Sequence, residues 1–172
     1  MSKVLVVSDS HGLTNELEVL RARHLSDVEL MIHCGDSEMM PDDKVMNGYL
    51  TVKGNCDFGS YPLETITENA GRKFFVTHGH RYSVKSSLMN LKYKAAEVGA
   101  DIVCFGHSHV LGAEVIGDTL FLNPGSIRMP RERSEKTYVI LDLFDETIKM
   151  SVYDISGREL KELAFEFDLP KR

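Results

Sequence analysis

The stretch "KVLVVSDSHG", Lys3 to Gly12, decides how the rest of the chain is read. "KVLVV" is a continuous β-branched and apolar run with no polar alternation, the signature of a strand covered on both faces. It then breaks into Asp9, His11 and a glycine. In layered α/β proteins the space beyond the carboxyl ends of strands is where ligands are held. A carboxylate and an imidazole are therefore delivered to the functional edge of a sheet.

The same punctuation recurs along the chain. "VELMIHC" (Val28–Cys34) runs into Gly35-Asp36, "YLTVKG" (Tyr49–Gly54) into Asn55-Cys56-Asp57, and "KFFVTH" into His78-Gly79-His80. "DIVCF" runs into Gly106-His107-Ser108-His109. Each block taken alone reads as a turn or a cap. Together they bring Asp9, His11, Asp36, Asn55, His78, His107 and His109 to successive strand ends. Residues i and i+2 of an extended segment point the same way, so Asp9 with His11, and His107 with His109, are expected to face one place.

Between these blocks the sequence predicts a helix from Asn15 to about His24, capped by Asn15 with Glu18 three residues on. A second helix is predicted from Val84 to Val98, ended by Gly99. "LETIT" and "KFFVTH" flank the hairpin signal Asn69-Ala70-Gly71. The last third changes character: a hairpin around Gly117-Asp118, then "TYVILDL", "IKMSVYDI" and "ELKELAFEF" as a strand meander. Alternating strands and helices followed by a meander predict α/β layers with a mixed sheet or two packed sheets.

Bulk properties narrow the function. The chain has 172 residues, 20 Lys plus Arg and 26 Asp plus Glu, a net charge of −6. That length predicts one domain, residues 1–172. Acidity argues against stable binding to nucleic-acid backbone or an anionic membrane. No apolar run approaches the roughly 18 residues of a membrane span, and "MSKVLVVSDS" lacks the long apolar core of a signal peptide. Three cysteines without framework spacing predict reduced thiols and a cytoplasmic setting.

Imidazole, carboxylate and amide oxygen make a mixed nitrogen and oxygen shell. It suits Mn2+, Ni2+, Fe2+ or Zn2+ and is too poor in oxygen for a dedicated Ca2+ or Mg2+ cage. One tetrahedral ion needs four donors; seven fit two ions that share a carboxylate. Two such ions a few ångströms apart are a phosphoryl-transfer device, and their charge attracts a phosphate ester to an acidic chain. No Gly-x-Ser-x-Gly or P-loop offers a competing chemistry.

In order, Asp-x-His-Gly, Gly-Asp, Gly-Asn-x-Asp, His-Gly-His and Gly-His-x-His resemble the calcineurin-like metallophosphoesterases, in particular their small bacterial and archaeal phosphodiesterase branch. "LNPGS" (Leu122–Ser126) resembles a loop of that branch. The resemblance implies a four-layer α/β/β/α sandwich of two mixed sheets. It implies Asp9, His11 and His109 on one metal, Asn55, His78 and His107 on the other, and Asp36 bridging. A hydroxide between the metals, two Mn2+ in the first instance, would attack phosphorus in line. Asn55, Cys56 and His80 would contact a phosphoester substrate.

Two departures matter. Many members carry a histidine after Gly-Asn, where it assists the leaving group; here Cys56 stands there. Many also carry a further Asp and Arg after Gly-Asp, where this chain has "GDSEMMPDD". The Gly-Asn-Cys-Asp form is that of the phosphodiesterase branch and favours diesters. Cys56 is otherwise expected to be a small buried thiol. His80 is either an acid or phosphate contact, or a hydrogen-bond partner of a ligand. His24 is expected exposed and His33 in the core. "RMPRER" (Arg128–Arg133) reads as a solvated loop able to steer an anion. The competing function is a metal-binding interaction protein without turnover, since the fold resembles a retromer trafficking subunit. An exposed edge of the meander would allow a homo-oligomer.

Overall fold

In the computed structural model, which describes residues 1–172, the apolar runs assemble into two mixed sheets. The first sheet contains β1 (Ser2–Val7), β2 (Leu30–His33), β3 (Tyr49–Thr51) and the later strands β9 (Thr137–Leu143), β10 (Thr147–Asp154) and β11 (Phe165–Asp168). Its order is β11-β10-β9-β1-β2-β3. The second contains β4 (Glu64–Asn69), β5 (Arg72–Thr77), β6 (Ile102–Cys104), β7 (Gly112–Ile116) and β8 (Thr119–Asn123), in the order β4-β5-β6-β8-β7. Strand β1 runs parallel to β2 and antiparallel to β9.

The two-residue period of a strand explains the layers. Val4 and Val6 of β1 point between the sheets, where they meet Ile32, Phe74, Val76, Ile102, Leu120 and Val139. Leu5 and Val7 point the other way, against Leu17 and Leu20 of α1 (Asn15–His24). On the far side, Phe75, Val103 and Phe121 pack on Leu91 and Ala95 of α2 (Met89–Val98). One helix on each outer face gives the four-layer α/β/β/α sandwich. β1 must satisfy both an inner and an outer core, which is why its sequence shows no polar alternation.

Several local expectations need correction. α1 has the expected span, but its cap residue is Thr14, with no side-chain capping bond. Asn15 already lies inside the helix. α2 begins at Met89, and the residues from Val84 onward form turns that pack Val84 and Leu88 on the sheet. "ELKELAFEF" is mostly a turn around Lys161–Leu163, with a strand only from Phe165. His24 is buried, its Nε2 2.8 Å from the Tyr138 hydroxyl. The hairpin at Ala70-Gly71 has φ of +51° and +75°, as a two-residue turn matched to strand twist requires. No helix is long and apolar enough to cross a membrane.

Candidate metal centre

The strands end before the functional residues begin, so the i, i+2 rule of an extended chain does not orient them. Asp9, His11, Asp36, His107 and His109 all have left-handed backbones, with φ of +53°, +41°, +56°, +70° and +60°. Non-glycine residues seldom adopt this conformation, and each costs on the order of 1 kcal/mol. Backbone bonds between neighbouring loops hold them there. Asp9 N–H donates to Gly35 O (3.1 Å), His11 N–H to Asp36 O (2.9 Å) and Gly12 N–H to Ser37 O (2.9 Å). The first and second strand-end loops are thereby zipped together.

Further side chains, unassigned from the sequence, set the positions. Asp57 is buried, and its carboxylate accepts N–H bonds from Asp36 (2.8 Å), Glu38 (2.8 Å) and Gly54 (2.7 Å). Asn123, from the "LNPGS" loop, donates to Gly106 O (3.0 Å) and Ser108 Oγ (2.9 Å), pinning the loop that carries His107 and His109. Ser126 Oγ donates to Asp9 O (2.7 Å). His33 is fully buried as expected, but it also works: Nε2 lies 2.8 Å from Ser10 Oγ, and Nδ1 accepts from Gly35 N–H (3.1 Å). Burial lowers its pKa to about 4. Glycine is needed where backbones crowd: a Cβ on Gly54 would overlap the Asp36 carboxylate and lie 2.5 Å from Asp36 N.

Within this frame the predicted donors gather. Asp9, His11 and His109 offer ligand atoms all within 4.8 Å of one another, and so do Asp36, His78 and His107. Asn55 Oδ1 lies 3.1 Å from His78 Nε2. Asp9 stands near both groups, its Oδ1 3.2 Å from His109 Nε2 and 3.8 Å from His78 Nε2. Asp36 Oδ2 is 3.1 Å from His78 Nε2 and 3.9 Å from His11 Nε2.

The donor chemistry fits divalent cations. His78 donates Nδ1–H to Cys34 O (2.7 Å), and His109 donates Nδ1–H to Met129 O (2.8 Å). Each ring is thereby turned with Nε2 towards carboxylate oxygens, and His109 Nε2 also faces His11 Nε2 at 3.2 Å. Two ring nitrogens at that distance share either a proton or a cation. Carbonyl anchoring of the opposite ring nitrogen is how metal-binding histidines are oriented. Asp9 Oδ1 is buried and has no hydrogen-bond partner, an acceptor left for something other than an N–H or O–H. Burial alone would raise the Asp9 carboxyl; the imidazoles of His109, His11 and His78 around it hold it well below the usual range.

The remaining predicted residues lie at the rim. His80 packs its ring 5.5 Å from that of His78 and 6.1 Å from that of His107, with no hydrogen bond to either and a buried Nδ1 that has no partner. Burial, then His78, lowers its pKa. Cys56 is half-buried rather than buried, and its N–H donates to Asp36 Oδ1 (2.8 Å). Burial and the Asp36 charge push its thiol up to about 11. Arg128 is not merely solvated: its guanidinium donates to His11 O. Behind the His107–His109 loop lies a cavity of about 620 Å3, with Phe105, Val110, Phe121 and Lys85 among its walls.

Known proteins share this chain's sequence pattern and fold. Residues 2–146 match the family profile described as calcineurin-like phosphoesterase superfamily domain. A probable metallophosphoesterase of Bacillus subtilis, YsnB, is 47% identical over 161 residues, covering 93% of this chain and 95% of that one. The phosphodiesterase YfcE of Escherichia coli is 25% identical over 169 residues, covering 83% and 88%. A crystal structure of a conserved predicted phosphoesterase from Streptococcus pneumoniae superposes with a TM-score of 0.94 at 37% identity, covering 97% of each chain.

Proposed function

Because this chain belongs to the calcineurin-like phosphoesterase superfamily, we propose that it hydrolyses phosphoester bonds, diesters in preference to monoesters, with two divalent cations. Asp9, His11 and His109 would hold one cation, Asn55, His78 and His107 the other, and Asp36 would be shared. When bound, the cations supply Lewis acidity and lower the pKa of water towards neutrality. The observation that carries this reading is the convergence of imidazole nitrogens on one another and on the Asp9 and Asp36 oxygens.

The chain's own residues do the rest. Asp57 and Asn123 fix the loops so that the donors need not reorganise, which is where preorganised sites gain their advantage. Arg128 braces the His11 backbone at the open side. His80 stands at the rim beside His78 and His107 and would meet a phosphate oxygen or the departing alcohol. Cys56 is a poorer acid than the imidazole common at its position, so esters with good leaving groups are favoured. The name of the E. coli relative, a phosphodiesterase, supports the same preference. Mn2+ is the first choice among ions that suit nitrogen and oxygen donors, and three unpaired cysteines support a cytoplasmic setting.

The test is to strip the protein with chelator, reload it with Mn2+, and measure bound metal and hydrolysis of bis(4-nitrophenyl) phosphate against 4-nitrophenyl phosphate. The expected result is two ions per chain and faster diester turnover. Asp36→Ala and His107→Ala should abolish turnover with unchanged circular dichroism. Turnover that survives chelation, or a chain that binds no metal, would sink the proposal.

A further inference from the structure

Cys56 is the one donor in the centre whose chemistry does not match the others. Its sulfur lies with a ring nitrogen of His11 and an oxygen of Asp36 in a third convergent set, all within 4.8 Å of one another. The backbone holds it there, because Cys56 N–H is bonded to Asp36 Oδ1. Its only side-chain contact of hydrogen-bond type is a long one, Asn55 Nδ2 to Sγ at 3.5 Å. The other two thiols, Cys34 and Cys104, are fully buried in the core between the sheets. On the same side, the buried and unpartnered Asp9 Oδ1 stands 3.6 Å from His11 Nε2, so this flank of the centre is itself arranged for positive charge.

Thiolate is a soft ligand that binds Zn2+, Cd2+ and Co2+ well and Mn2+ poorly, whereas carboxylate and imidazole serve all four. We propose that Cys56 is a cation-discriminating ligand: a thiophilic dication recruits its sulfur beside His11 and Asp36, whereas Mn2+ leaves the thiol free. The exchange is a simple substitution. A metal–sulfur bond forms, the S–H bond breaks, the proton passes to solvent, and nothing is oxidised or reduced. The inference rests on the metal-centre reading above and adds a consequence to it. A bound sulfur fills a position on the open side that a substrate oxygen would need, so the centre can be fully loaded and yet poorly active when the ion is thiophilic.

Cobalt gives a readout that does not depend on turnover. The full chain, stripped of metal and kept anaerobic, is titrated with Co2+ and followed by absorption. The wild type should develop the near-ultraviolet sulfur-to-cobalt charge-transfer band; Cys56→Ser and Cys56→Ala should lack it while keeping the visible d–d bands and the bound-cobalt stoichiometry. Alkylation of Cys56 by iodoacetamide, read by peptide mass spectrometry, should be roughly tenfold slower with Zn2+ than without metal, and unchanged with Mn2+, because only free thiol that can ionise reacts. d–d bands without a charge-transfer band in the wild type would overturn the proposal and leave the metal centre standing. Equal alkylation rates with Zn2+ and Mn2+ would do the same. Failure to bind cobalt at all would overturn both.

Discussion

Replacing Asp57 by Asn changes one oxygen to an amide nitrogen and leaves the volume almost the same. Its consequence can be worked from three distances. Oδ2 serves two donors, Asp36 N–H and Gly54 N–H, while Oδ1 serves Glu38 N–H. The amide oxygen of Asn would stay with the pair, which turns its NH2 group towards Glu38 N–H, donor against donor. Orphaning that donor costs about 1–3 kcal/mol, and the two surviving bonds lose their charge assistance at about 1 kcal/mol each. The sum is about 4 kcal/mol. For a chain of this size each kcal/mol moves the melting temperature by about 2–4 °C, so calorimetry on metal-free Asp57→Asn should show a fall of roughly 8–16 °C. The Mn2+ affinity measured by titration calorimetry should fall with it, because Asp36 sits in a left-handed conformation that Asp57 holds. A variant that melts within about 2 °C of the wild type and binds Mn2+ as tightly would refute the view that this carboxylate organises the centre.

Gly54→Ala should lower Mn2+ affinity roughly tenfold or more, on the scale of lost support to a ligand, since the new methyl collides with the Asp36 carboxylate and backbone; metal-binding calorimetry on the folded variant would show it. The metal-free protein should lose stability as pH falls from 6.5 towards 4. The unfolded chain protonates His33 near its ordinary 6.5, whereas the folded chain resists until about 4. The contribution is thus intact above 6.5, shrinks through that window, and amounts to about 3 kcal/mol. Denaturant titrations at several pH values should give a shallower slope for His33→Gln; an unchanged slope would mean that His33 is not held neutral by burial.

What could be read from the sequence followed from periodicity and punctuation. The both-faces-apolar run of β1 announced its place between two cores, and the glycine-flanked polar residues announced the strand-end loops. Orientation was less legible. The left-handed backbones of Asp9, His11 and His109 are imposed by partners on other loops, which an i, i+2 rule does not contain. Asp57 and Asn123 were visible as letters of their motifs, but their roles depend on which amides surround them in three dimensions. His24 looked exposed because its helix ends in charged residues; Tyr138, 114 positions away, is what covers it. The start of α2 was misplaced because Val84 and Leu88 are apolar for the sake of the sheet beneath them, and periodicity alone cannot separate a packed turn from a helix.

The position of β1 also governs the order of events during synthesis. Its first residue pairs with Leu143 on β9, so the first strand made is held in the middle of its sheet by one made much later. Contacts that span so much chain form slowly. While the nascent polypeptide emerges from the ribosome, Val4–Val7 has only one of its two neighbours, and its hydrophobic faces stay open to chaperones or to self-association. The last of the seven donors, His109, leaves the tunnel before β9 does. All seven donors are therefore out before the sheet that positions Asp9 and Asp36 is complete.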